Sequence, residues 1–154
     1  MVTGGGTGLG LAIALEFARL GASLVLASRS AEHLAAGAEA VQATGAQVAT
    51  VGCDIRDPEA IASAFDAASE AFGMPAVLVN NAAANFPSPA EDLSPNAWRT
   101  VVDITLSGTF LCSREFARRH LSAGTAASIL NVAASYAWTG GPGFAHSAAA
   151  KAGV

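Results

Sequence analysis

Charged side chains are scarce in this sequence. Asp, Glu, Lys and Arg make up 13% of its 154 residues, against roughly 25% in an ordinary soluble domain. The cations are scattered, no basic stripe forms, and the formal net charge is −4. Recognition of nucleic acid, which needs clustered Lys and Arg against phosphates, is excluded on that ground. Long apolar runs are lacking as well. None approaches the roughly 20 residues of a membrane span, and no charged-then-apolar leader stands before Thr3. The expected location is the cytoplasm, or an organelle matrix in a eukaryotic source. Cysteine occurs only as Cys53 and Cys112. Their spacing suits no metal site, so both read as reduced, buried thiols and no metal is expected. Tyrosine occurs once, as Tyr136.

What abounds is apolar: 52% of the residues are hydrophobic, the profile of elements buried on both faces, as in a parallel sheet covered by helices. Short apolar runs read as strands at residues 1–2, 23–27, 47–51, 76–79 and 128–132. Helical spacing marks residues 8–20, where Leu9, Ala12, Ile13, Phe17 and Leu20 share a face. Further helices fall at 31–44 and at 58–72, the latter with Pro58 in its first turn. A long one, broken once, runs from Pro95 to His120 with Ser94 as its cap. A glycine-rich loop covers 139–143, and a last helix starts near Ser147. This alternation predicts one dinucleotide-binding domain over 1–154, a Rossmann-type α/β fold with an open parallel sheet and helices on both faces. The two-residue first strand and the two-turn last helix read as truncation at both ends, the N-terminal part of a longer chain.

Between the first strand and the first helix stands Thr3-Gly4-Gly5-Gly6-Thr7-Gly8-Leu9-Gly10. Glycines there let backbone approach a pyrophosphate, and the helix N-terminus offers free N–H groups to it. The second strand ends Ala27-Ser28-Arg29, with no carboxylate before Glu32. An acidic residue at that point suits the ribose hydroxyls of NAD, whereas an arginine suits a 2′-phosphate. NADP(H) is the expected cofactor.

Thr3-Gly4, Gly8-Leu9-Gly10, Cys53-Asp54, Asn80-Asn81-Ala82 and Lys151-Ala152-Gly153 resemble the short-chain dehydrogenase/reductase superfamily in order and spacing. The resemblance implies cofactor contacts from Thr3, Gly4, Gly6, Thr7, Gly8, Leu9, Arg29, Asp54, Asn81, Ala82 and Lys151. Asp54 would touch the adenine, and Asn81-Ala82 would lie under the adenosine half. The catalytic set departs from the superfamily's usual one. Ser147 stands four residues before Lys151, where a tyrosine is usual; the usual serine falls at Ala134 and the usual helix asparagine at Thr105. One branch, the 2,4-dienoyl-CoA reductases, resembles this altered set, with Ser147 and Lys151 as Ser-x-x-x-Lys, Tyr136 in the loop after the fifth strand, and Asn85 after Asn-Asn-Ala-Ala. Ala84 stands where that branch usually has glycine.

That resemblance implies NADPH-dependent reduction of a 2,4-dienoyl-CoA to a 3-enoyl-CoA in unsaturated fatty acid degradation. Tyr136 and Asn85 would donate hydrogen bonds to the thioester oxygen as it gains charge. Lys151 would hold the nicotinamide ribose, and Ser147 would support the substrate. Arg56, Phe86 and Ser94 would contact the acyl-CoA, and a full-length chain would form a homotetramer through its long helices. Two alternatives stay open: another short-chain reductase acting on an enoyl-CoA or a carbonyl, and a non-catalytic NADP-binding subunit.

Overall fold

A computed structural model describes residues 1–154. Five strands, β1 (Val2–Thr3), β2 (Leu24–Ser28), β3 (Val48–Gly52), β4 (Val77–Asn80) and β5 (Ser128–Asn131), form one sheet. Every pairing is parallel and the order is β3-β2-β1-β4-β5. The strand order reverses between β1 and β4, and in such sheets the crevice beyond the strand ends at that point receives the ligand.

Alternation along the strands splits the core in two. Val25 and Ala27 of β2 and Leu78 of β4 pack with Ile61, Phe65, Cys112 and Phe116 on one face. Leu24 and Leu26, with Val79, pack with Ala14, Ala18, Leu34 and Val41 on the other. Helices α1 (Gly8–Arg19) and α2 (Ala31–Gln42) therefore cover one face; α3 (Pro58–Phe72) and α5 (Gly108–Ala123) cover the opposite one. Local chemistry sets the helix starts. The Ser30, Asp57 and Ser94 side chains accept from the backbone N–H groups of His33, Glu59 and Ala97, as N-caps do.

Three elements differ from the sequence expectation. The break in the long helix is a change of pitch: α4 (Pro95–Val102) passes through a π-helical stretch (Asp103–Ser107) into α5, which ends at Ala123, beyond His120. Tyr136 opens a one-turn helix, α6 (Tyr136–Thr139), and does not sit in a loop. The last helix, α7 (Ala145–Gly153), starts two residues before Ser147, because Ala148 N–H already closes on the Phe144 carbonyl at 2.7 Å. Its N-cap, Phe144, has no capping oxygen, so no residue marks that start.

Glycine is obligatory where α1 meets the sheet. A Cβ at Gly10 would lie 2.3 Å from the Gly4 carbonyl oxygen and 2.4 Å from Asn81 Nδ2. Neither neighbour is the free end of a flexible chain. Gly10→Ala is expected to destabilise the full-length protein by about 1–3 kcal/mol and to abolish dinucleotide binding; an unaltered thermal midpoint with intact binding would contradict this packing.

Candidate functional site

The cleft begins with a set of hydrogen bonds between β1 and β4. Thr3, buried in β1, donates its hydroxyl to the Val79 carbonyl at 3.3 Å and accepts from Asn81 N–H and Ala82 N–H, each at 3.1 Å. Asn81 returns the contact, its Nδ2 donating to the carbonyls of Thr3 at 3.0 Å and Gly4 at 3.2 Å. These bonds satisfy backbone groups that the divergence of the two strands would leave bare.

Above them opens a cleft of about 270 Å³ whose wall includes Gly4, Thr7, Arg29, Asp54, Asn81 and Ala82. Six of the eleven expected cofactor residues meet there. The other five do not line it. The Thr3 hydroxyl is committed to the sheet. Gly6 packs on α2, where an added Cβ would come within 2.5 Å of the His33 carbonyl oxygen. Gly8 and Leu9 are exposed at the start of α1. Lys151 lies in a separate groove with Asn131, Ala137 and Trp138.

A dinucleotide fits this cleft on the evidence of its own backbone. Gly4, at φ 62°, has no room for a side chain, since its Cβ would stand 2.9 Å from Asn81 Nδ2, so main chain faces the opening. Arg29 is exposed and forms no ion pair, which leaves a guanidinium free at the rim. Asp54 is differently placed. Arg56 grips its carboxylate with Nε at 3.0 and 3.1 Å and Nη2 at 2.5 Å. Those hydrogen bonds hold the Asp54 carboxyl down to about 2.

Three of the four expected catalytic residues, Tyr136, Ser147 and Lys151, lie on α6 and α7. Tyr136 Oη and Ser147 Oγ are 3.0 Å apart, and Phe144 stacks on the Tyr136 ring with centroids 5.8 Å apart. Ser147 is fully buried. Lys151 donates from Nζ to the Val132 carbonyl, and burial lowers its pKa below the usual lysine value. Asn85 is exposed and has no side-chain hydrogen bond to any of them; only its neighbour meets α7. Phe86 packs on the buried ring of His146, centroids 4.6 Å apart, and His146 directly precedes Ser147. Of the three expected acyl-CoA contacts, Arg56 is the partner of Asp54, Phe86 is the partner of His146, and Ser94 caps α4.

Two residues carry more than sequence reasoning gave them. Thr105, read as a lost helix asparagine, accepts from Ala84 N–H at 3.1 Å and reaches the Ala84 carbonyl at 3.4 Å. Arg56 was assigned through resemblance alone, although its place two residues after Asp54 suits an ion pair. The alanine at 84 distorts nothing: no residue other than glycine has positive φ, so its methyl is unstrained. Both cysteines are buried and free, and burial pushes the thiols of Cys53 and Cys112 up to about 11 and about 12. No group of three or more His, Cys, Asp or Glu could hold a metal. No helix is long and apolar enough to cross a membrane.

Residues 1–154 match the family described as short chain dehydrogenase. A probable 2,4-dienoyl-CoA reductase, (2E)-enoyl-CoA-producing, of Bacillus subtilis is 44% identical over 154 residues, which are 100% of this chain and 61% of that protein. The probable 2,4-dienoyl-CoA reductase 3, (3E)-enoyl-CoA-producing, of Caenorhabditis elegans is 45% identical over 156 residues, covering 100% of this chain and 50% of that protein. A crystal structure of a short chain dehydrogenase from Bacillus anthracis superposes with a TM-score of 0.95 at 42% identity, over 99% of this chain and 63% of that one. The chain belongs to the short chain dehydrogenase family, and it resembles the 2,4-dienoyl-CoA reductase branch. It spans 50% to 61% of the length of the two curated relatives. The family implies a nicotinamide cofactor.

The Asp54–Arg56 pair has a defined pH signature. A carboxyl whose folded pKa lies below its unfolded value of about 3.9 stabilises the fold above that value, and the contribution is lost as pH falls through about 2. Carbon-detected NMR titration should find Asp54 near about 2 and find it raised in Arg56→Ala. An unmoved value would show that Arg56 is not the cause.

Proposed function

We propose that the full-length protein is an NADPH-dependent oxidoreductase that reduces 2,4-dienoyl-CoA to 3-enoyl-CoA in the degradation of unsaturated fatty acids. The observation that carries this reading is the Tyr136–Ser147 contact of 3.0 Å. It sets a phenol from α6 beside the position that holds the tyrosine of ordinary family members, one turn of α7 before Lys151. The names of the Bacillus subtilis and Caenorhabditis elegans relatives support the substrate class.

The cofactor, when bound, supplies hydride. Addition at C5 of the dienoyl thioester shifts the C4=C5 pair to C3–C4 and the C2=C3 pair to C1–C2, leaving the charge on the thioester oxygen. Tyr136 Oη–H and the Asn85 carboxamide are the donors for that oxygen, and neither loses its proton. Fixed donors aimed at developing charge are worth about 2.7–4 kcal/mol each. The buried Ser147 orients the phenol. Lys151, steadied on the Val132 carbonyl, is the donor for the nicotinamide ribose. Water then protonates C2, which leaves C3=C4 and gives the 3-enoyl product. No tyrosine is needed at 147, because no alkoxide forms there.

A second reading concerns only where the proton lands. Protonation of the same dienolate at C4 gives a 2-enoyl product, and the name of the Bacillus subtilis relative specifies that product. For the cofactor, the unpaired Arg29 and the lack of a carboxylate before Glu32 favour a 2′-phosphate over free ribose hydroxyls. Arg56 keeps Nη1 free of Asp54, so it can contact an acyl-CoA phosphate while holding that pair; Phe86 and Ser94 complete the acyl-CoA contacts. Phe110 and Leu121 on α5, 61% and 81% exposed, are suited to bury against a second copy in a homotetramer.

Tyr136→Phe is expected to lower kcat for 2,4-dienoyl-CoA about 100- to 1,000-fold. Reduction in D₂O should place deuterium at C2; label at C4 would select the 2-enoyl reading. Loss of little activity in Tyr136→Phe would remove the phenol from the mechanism, and dinucleotide binding without turnover of any enone or thioester would indicate a non-catalytic subunit. Arg29→Ala should raise the KM for NADPH at least about tenfold, as loss of a charge-assisted contact of about 1.5–3 kcal/mol requires, while the KM for NADH changes little. Equal losses with both cofactors would remove Arg29 as the 2′-phosphate partner.

A further inference from the structure

Asn85 carries the second donor of the proposed site, yet its side chain is exposed and has no hydrogen-bonded partner to aim it. Residues on either side of it are held instead. Thr105 meets both polar groups of Ala84, accepting from its N–H at 3.1 Å and turning its own hydroxyl proton to its carbonyl at 3.4 Å. One hydroxyl that spans the N–H and the C=O of the same residue restrains both backbone torsions there. The direction in which the chain enters Asn85 is fixed with them. On the far side, Phe86 rests on His146, which is fully buried with neither ring nitrogen bonded. It serves Phe86 as a packing surface.

Thr105 is itself firmly seated. It is fully buried in the middle of the π-helical stretch, and its carbonyl accepts from the Thr109 hydroxyl at 2.8 Å. A π-helical turn closes its ring one residue later than an α-turn and shifts the side chains it carries. Here it carries Thr105 against the loop after β4. The hydroxyl thus stands where the wider family's helix asparagine falls, and its target is the backbone next to Asn85.

We propose that Thr105 is a positioning residue that acts through Asn85: it fixes the Ala84 backbone so that the Asn85 carboxamide faces the thioester oxygen. The catalytic consequence rests on the dienoyl reading above, whereas the restraint on the backbone does not. Thr105→Val preserves shape and removes the hydroxyl; Thr105→Ser keeps the hydroxyl.

Two measurements on the full-length protein separate the possibilities. Hydrogen exchange followed by mass spectrometry is expected to show faster exchange over residues 84–86 in Thr105→Val and near-native exchange in Thr105→Ser. Unchanged exchange in the valine variant overturns the proposal whether or not the protein turns over any substrate. In turnover of 2,4-dienoyl-CoA, Thr105→Val should lower kcat by about tenfold to a hundredfold, the cost of a misplaced group, with the KM for NADPH unchanged and activity restored by serine. In an Asn85→Ala background the same valine substitution should cost less than about twofold, since two changes along one chain of action are not additive. A full additional loss in that background, or full activity in Asn85→Ala alone, leaves Thr105 nothing to position and sinks the proposal. Absence of all dienoyl turnover with altered exchange would leave the backbone clamp standing and reject the dienoyl reading.

Discussion

Where β1 and β4 leave the sheet, the chain turns away on opposite sides, and the gap between them is lined by main-chain N–H and C=O groups that no third strand can reach. Such a gap stays open only if those groups are paired without being covered. Thr3 and Asn81 do this from opposite sides, each bonding the backbone that carries the other. The arrangement leaves no spare volume. Asn81 Nδ2 occupies the space that a side chain on Gly4 or Gly10 would need, so the glycines of the turn are dictated by the clamp beneath as well as by any ligand above. The close fit of Gly6 to His33, and of Gly37 to Gly6, carries the same constraint outward to α2.

The parallel α/β architecture and the glycine-rich turn were legible because they follow from periodicity and from glycine placement, both of which are local. Short apolar runs alternating with helices admit few topologies once crossovers are right-handed, and the glycine-rich turn follows β1 directly. Arg29, directly after β2, was legible for the same reason, whereas Asp54, two residues past β3, was implied only by the family resemblance. Less could be read where a residue's task depends on a partner distant in sequence. Thr3 looked like part of the phosphate loop, but its hydroxyl works on residues 79–82. Thr105 looked like a lost asparagine, and only the fold shows that Ala84 lies against it. The π-helical stretch had no local sign either, since Asp103-Ile104-Thr105-Leu106-Ser107 has no proline or glycine within it. Two tertiary contacts accompany it: Gly108 lies so close to Ile55 that a Cβ would stand 2.6 Å from Cδ1, and the loop after β4 takes the Thr105 hydroxyl.

Under the proposed function, the residue changes around α6 and α7 make sense together as a change in which atom receives a proton. A tyrosine at 147 would place an acidic phenol where an alkoxide forms. Serine there is shorter and fully buried, and its hydroxyl meets a neighbour, Tyr136 Oη, at 3.0 Å. The only phenol in the chain sits instead on α6, eleven positions earlier, and meets the serine from the other side. The phenol is held by a neutral hydroxyl, with no cation bonded to it. That suits an oxygen whose charge is spread through a conjugated thioester, which needs stabilisation at oxygen and protonation at carbon. Lys151 completes the distinction: its ammonium is bonded to the Val132 carbonyl and not to Tyr136. Under the proposed function, that contact keeps the cation on the ribose side of the site.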